Sequence, residues 1–193
     1  MAISMYRASV PVFVRSLGNC AAFLRKVERE AKARGIPDGE LLQARLHPDM
    51  FGLGRQVQIA VDGARGAAFR LAGSEPGDPE DADYAVFNRG SDAGFGPDAA
   101  SLAELAGRVD AGIAAISACP EARFAGSETR TIVVAMYGST RIFTGETFLF
   151  AYVLPNLFFH VGMAYAILRQ RGFALGKQDF EGAPVYASGV LGT

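Results

Sequence analysis

The sequence predicts a mainly α fold, a bundle of four long helices with a small β-hairpin before the last. Three observations carry that prediction. Apolar residues recur at three- and four-residue spacing in four separate stretches, the period of a helix with one buried face. A glycine or proline closes each stretch, where helices end. Ahead of the fourth stretch, β-branched residues flank a glycine-containing turn, which is a hairpin pattern. At 193 residues the chain is long enough for one domain with a sizeable core and short for two, so residues 1–193 are read as a single domain.

The first helix is expected over residues 4–34, with Val10, Phe13, Val14, Leu17, Ala21, Leu24 and Val27 as its stripe. Pro11 either kinks its early turns or marks its true start, and Gly35 stops it. Asp38 is placed to cap a short helix over 39–45, and His47-Pro48-Asp49 makes a corner. The second long helix spans 50–71. Leu53, Val57, Ala60, Ala64, Ala67 and Leu71 face inward, while Arg55, Asp62 and Arg65 read as an ordinary solvated charge cluster. Residues 74–99, rich in Gly, Pro and Asp, form a long irregular loop of the kind that is usually functional or mobile. The third helix, 100–118, buries Leu102, Leu105, Val109, Ile113 and Ile116 before Pro120. Residues 129–136 and 141–143 are the two arms of the hairpin. Thr144 caps the fourth long helix, which runs to Gly172, and from Leu175 onward the chain is a C-terminal tail that wraps or frays.

Composition narrows the function classes. Half the residues are hydrophobic, a fifth are charged and the net charge is −1, which argues against nucleic acid as the main partner. Cys20 and Cys119 stand far apart, in no CxxC spacing, and are expected as reduced thiols in a cytoplasmic protein. The first residues lack the pattern of a signal peptide. Residues 148–168 are apolar enough to cross a bilayer, but Pro155, Asn156 and His160 sit in their middle, where polar groups are costly in lipid. The reading adopted is a helix buried on nearly all sides, with no membrane partner. A bundle leaves part of such a helix uncovered, so a homodimer through helices one and four is expected.

On that fourth helix Asn156 and His160, spaced i, i+4, share a face with Leu149, Val153, Ala164 and Ile167. Polar groups in an apolar stripe must be hydrogen-bonded or they cost free energy. Three readings stand: mutual or backbone satisfaction, a polar small-molecule pocket, or a metal site. GxSxG, P-loop and HExxH patterns are absent, and neither histidine neighbours Cys20 in sequence.

The run from His160 through Leu168-Arg169 to Gly172 resembles the last-helix signature of the DinB/YfiT-like metalloenzyme superfamily. More closely, the chain resembles an uncharacterised bacterial subfamily of that group, through Ser4-Met5-Tyr6, Ala8-Ser9-Val10-Pro11-Val12-Phe13, Ala44-Arg45-Leu46, Pro48-Asp49-Met50-Phe51, Arg55-Gln56-Val57-Gln58-Ile59-Ala60, Phe143-Thr144-Gly145 and Leu154-Pro155-Asn156. The resemblance implies a four-helix bundle. In such bundles, three histidines commonly hold a divalent metal, one from helix two and an HxxxH pair from helix four, and some members are thiol-dependent transferases, isomerases or hydrolases. His160 matches the second histidine of the pair. Asn156 stands where the first would be, and Gln56 or Gln58 where helix two would supply its ligand. The resemblance therefore implies a ligand-binding pocket of Asn156, His160, Gln56, Gln58 and Arg55, the last as a possible carboxylate clamp. Any zinc or nickel would be weakly held through His160, with His47 as a distant second ligand, because carboxamides are poor donors for these metals. The expected function is a homodimeric small-molecule-binding protein with a degenerate metal site; the alternative is a metal- or thiol-dependent transferase- or hydrolase-like enzyme.

Overall fold

The computed structural model describes residues 3–74, 98–136 and 139–186. In chain order the elements are α1 (Met5–Arg34), α2 (Asp38–Leu42), α3 (Leu53–Leu71), α4 (Leu102–Ser117), a 3-10 turn (Glu121–Phe124), β1 (Thr131–Met136), β2 (Ser139–Thr144), α5 (Gly145–Thr147), a π-helical segment (Phe148–Val153), α6 (Leu154–Gln170) and α7 (Lys177–Glu181). The long helices close a ring in which α1 packs on α4, α4 on α3, α3 on α6, and α6 on α1. This is the four-helix bundle, and the antiparallel hairpin β1–β2 precedes its last helix, pairing Val133 with Ile142.

Local chemistry sets the boundaries. Ser4 caps α1 by accepting the Arg7 N–H at 3.3 Å. The helix therefore starts there and runs through Pro11 rather than beginning at it. It ends at Gly35, whose φ of 67° is left-handed. Asp38 differs from expectation. It opens α2 without capping it, and its carboxylate instead accepts the Leu102 N–H at 3.0 Å, tying the start of α4 to a distant corner. Helix α3 begins at Leu53, later than the pattern suggests. The Met50 N–H turns back to His47 O at 3.0 Å, which holds the chain out of helix until Gly52. Along α3 the expected inner face is fully buried: Leu53, Val57, Ala60, Ala64, Ala67 and Leu71. Ile113 of α4, expected inside, sits at the core's edge.

Two arginines close the C-terminal end of α3. Arg123 Nε donates to Ala72 O at 3.1 Å, and Arg130 donates to Leu71 O and, at 3.4 Å, to Arg123 O. Cations suit helix carbonyl ends, where the last C=O groups lack partners within the helix. At the other boundary of the hairpin, Thr144 accepts the Thr147 N–H at 3.2 Å, as its position predicts. Gly145 follows because a Cβ there would collide with the Ser127 carbonyl oxygen.

The stretch Gly145–Gln170 is one helix long and apolar enough to cross a membrane by length and composition. It is not buried on nearly all sides. Only 39% of its most apolar window is buried, and Phe150, Phe158 and Phe159 are exposed. The physical reason is the ring itself, in which each helix has two neighbours and keeps an outer face. The π-helical segment ends two residues before Pro155, which has no N–H to donate, and a widened turn accommodates that missing bond.

The C-terminal residues wrap rather than fray as far as they are described. Phe173 and Leu175 are buried. The Lys26 ammonium pairs with Asp179 at 2.9 Å, Asn19 donates to Phe180 O at 2.9 Å, and Arg15 holds the carbonyls of Glu181 and Ala183 at 2.7 Å each. Most of the loop expected over 74–99 lies outside the described residues.

Candidate functional site

The site is built where the first turns of α3 meet the middle of α6. Gln56 and His160 are the buried polar side chains there, 2% and 8% exposed. The imidazole Nδ1 lies 2.7 Å from Gln56 Oε1, and Gln56 Nε2 donates to the Phe51 carbonyl at 3.2 Å. The amide cannot be turned over without setting its oxygen against that carbonyl, so Oε1 faces the ring and Nδ1 must carry the proton. The remaining nitrogen, Nε2, bears the lone pair. Among the described residues it has no hydrogen-bond partner. Burial takes the His160 pKa down to about 4, so the ring is neutral at neutral pH.

Asn156 lies one turn earlier on α6 and is half-buried. Its Nδ2 donates back to Tyr152 O at 2.8 Å, in the π-helical segment, and its Oδ1 has no partner among the described residues. The apolar residues sharing this face, Leu149, Val153, Ala164 and Ile167, are completely buried.

This pair of α3 and α6, joined by an amide and an imidazole, is where similarity to known proteins becomes informative. Residues 5–181 match the family described as a domain of unknown function, DUF1993. The chain belongs to that family. Among solved structures this DUF1993 chain is similar to a DinB family member protein from Shewanella denitrificans. The two are 32% identical with a TM-score of 0.77, over 96% of each chain. No curated protein matches. The DinB-like bundle is thus shown for both sequence and fold.

The other predicted site residues of the DUF1993 chain fall elsewhere. Residues 56 and 58 differ by about 200° around a helix of 3.6 residues per turn. Gln58 accordingly points away from His160. It accepts a hydrogen bond from Arg55 Nη1 at 2.6 Å and lines a cavity of about 200 Å³ between α3 and α4, with Asp62, Arg65 and Leu105. Arg55 is only 11% exposed, not solvated, and its Nη2 meets Asp98 Oδ1 at 3.0 Å. It lines a separate cavity of about 160 Å³ with Arg45, Phe51 and Gly52. Asp62 and Arg65 are likewise four-fifths covered, so this face is a packed polar seam rather than a solvated cluster. His47 stands exposed at its corner, bonded to exposed Asp49, and is not brought into the bundle. Cys20 is completely buried, and desolvation raises its pKa to about 12, which removes it as a nucleophile.

The donor set does not fit a zinc or nickel centre. Such a site wants about three ligands drawn from His, Cys and carboxylate, and no group of three of these forms among the described residues. His160 brings one nitrogen, while the oxygen of Gln56 is already spent on Nδ1. Two participants escaped the sequence. Phe51 enters through its backbone carbonyl, which no side-chain pattern announces. Asp98 lies near the end of the stretch read as the long loop, where an acidic residue ahead of a helix reads as surface.

Proposed function

We propose that this DUF1993 protein is a homodimeric small-molecule-binding bundle whose ancestral metal pocket has become a polar ligand site. The observation that supports this is the Gln56–His160 pair: an amide is hydrogen-bonded to the histidine at the place where DinB-like relatives bring a ligand from helix two. His160 and half-buried Asn156 supply polar groups within an otherwise apolar face. A few polar groups set in apolar walls are what orient small ligands.

The dimer reading rests on the outer face of α1 and α6. Phe150, Leu154 and Phe158 recur at four-residue intervals. They flank apolar grooves of about 790 and 360 Å³, both reaching Val12 of α1. A ridge and its flanking grooves on the same face are what a twofold interface between identical copies requires. Light scattering at micromolar concentration is expected to give about twice 20.4 kDa.

The site itself is tested by a thermal-shift screen of neutral polar small molecules against wild type and His160→Phe. Compounds that raise the melting temperature of wild type alone support the reading. Stabilisation that survives the substitution places binding elsewhere. One observation favours the second reading, a metal- or thiol-dependent transferase- or hydrolase-like enzyme. A histidine tied back through one ring nitrogen with the other open is the arrangement metal ligands adopt. Stoichiometric metal in protein purified without an affinity tag would favour that reading.

A further inference from the structure

We infer that Gln56 locks His160 in the Nδ1–H tautomer, so that the site presents hydrogen-bond acceptors and takes ligands through an N–H or O–H donor rather than through a carboxylate or phosphate. The tautomer follows from Gln56 and Phe51 whether or not a ligand exists; the ligand class rests on the small-molecule reading above.

The Phe51 carbonyl can only accept, so it fixes the Gln56 amide with Nε2 outward and Oε1 toward α6. An amide oxygen can only accept, so the imidazole must donate from Nδ1 at 2.7 Å. The polarity of one backbone carbonyl is thereby passed through two side chains to Nε2, which is left as an acceptor. One turn earlier, Asn156 spends an N–H on Tyr152 O and keeps its carbonyl oxygen unpaired among the described residues. The polar atoms that the pair leaves open among the described residues, His160 Nε2 and Asn156 Oδ1, are both acceptors. Arg55 is engaged by Gln58 and Asp98 on another side of α3, and Arg141 lies over the Tyr152 ring, 6.0 Å from its centroid. A carboxylate or phosphate bound at Nε2 would set its oxygens against these lone pairs, whereas a hydroxyl or amine would meet complementary groups. Gln56 is in these terms a positioning residue, acting through His160.

The test is a long-range proton–nitrogen NMR spectrum of protein carrying 15N-histidine, with His47→Gln used to assign the two rings. Unconstrained imidazole favours the Nε2–H tautomer, so the expected result for His160, a pyrrole-like Nδ1 and a pyridine-like Nε2, is the reverse of the default. Gln56→Met should return the ring toward Nε2–H. Nε2–H in wild type, or an unchanged tautomer in folded Gln56→Met, would overturn the lock. If Gln56→Met does not fold, the wild-type spectrum decides it. n-Butanol and n-butylamine are expected to shift the Nε2 resonance while n-butyrate does not. An equal shift with butyrate overturns the ligand class. Silence from all three probes, with the expected tautomer in place, overturns the small-molecule reading and leaves the lock standing.

Discussion

The two ends of α3 handle buried polarity differently. At its C-terminal end the carbonyls of Leu71 and Ala72 each meet an arginine, Arg130 and Arg123, and the charges sit where the helix dipole favours them. Near its N-terminal end Gln56 meets both the Phe51 carbonyl and His160, and among the described residues the chain of bonds stops at the ring's Nε2. The first arrangement closes a helix. The second leaves a lone pair without a partner among the described residues, and the proposed ligand would supply one.

The contrast breaks most readily under acid. His160 titrates near 4 in the folded chain because of burial, against 6.5 for an exposed ring. Between these values the unfolded chain binds the proton and the native chain does not, so stability falls as pH drops from about 6.5 toward 4. The expected loss is on the order of 3 kcal/mol. Urea unfolding across that window should show it, and His160→Gln should flatten the slope. Asp179, whose carboxyl is held below its usual range by the Gly176 N–H and then Lys26, contributes only at lower pH. A slope unchanged by His160→Gln would place the acid sensitivity elsewhere.

Breaking the closed end should cost somewhat less. Arg130→Met leaves two carbonyls without their donor, an expected loss of about 2 kcal/mol by chemical denaturation, with the His160 tautomer unaffected. Gln56→Met removes the partners of the Phe51 carbonyl and of His160 Nδ1 without removing a charge, and about 1–2 kcal/mol is expected. If Gln56→Met proved neutral, its amide would not be the link between Phe51 and α6. The smallest effect on folding is expected at the exposed ridge. Phe158→Asp should alter monomer stability by less than about 0.5 kcal/mol while, if the proposed dimer forms, giving a monomer in light scattering where wild type gives a dimer.

How much of this was legible in the sequence depended on whether a feature repeats. Four helices, the hairpin and the inner face of α3 were readable because periodicity is redundant over many residues. The placement of Asp38 on α4 was not, since its nearest partner by sequence is its own helix. Helix α6 reads as buried all round from composition alone, and only the ring of neighbours shows which face stays open. At the site, Asn156 and His160 were visible as an i, i+4 pair, while the choice between Gln56 and Gln58 stayed open. The Phe51 carbonyl was not, because backbone groups carry no letter. Arg55 and Gln58 share a motif with Gln56 but not a direction, and only the turn angle of the helix separates them.

The central proposal is that Gln56 and Asn156 stand at the positions where the resemblance implies metal-binding histidines, and calorimetric titration of zinc tests it most directly. Wild type is expected to bind weakly, through His160 alone. Asn156→His, which restores an i, i+4 imidazole pair, should tighten binding at least tenfold, about 1.4 kcal/mol. Asn156→His with Gln56→His should bind tighter again, and Gln58→His in its place should add nothing, because that side chain lines the opposite groove. Tight stoichiometric zinc on wild type, or no gain in folded Asn156→His, would contradict the account.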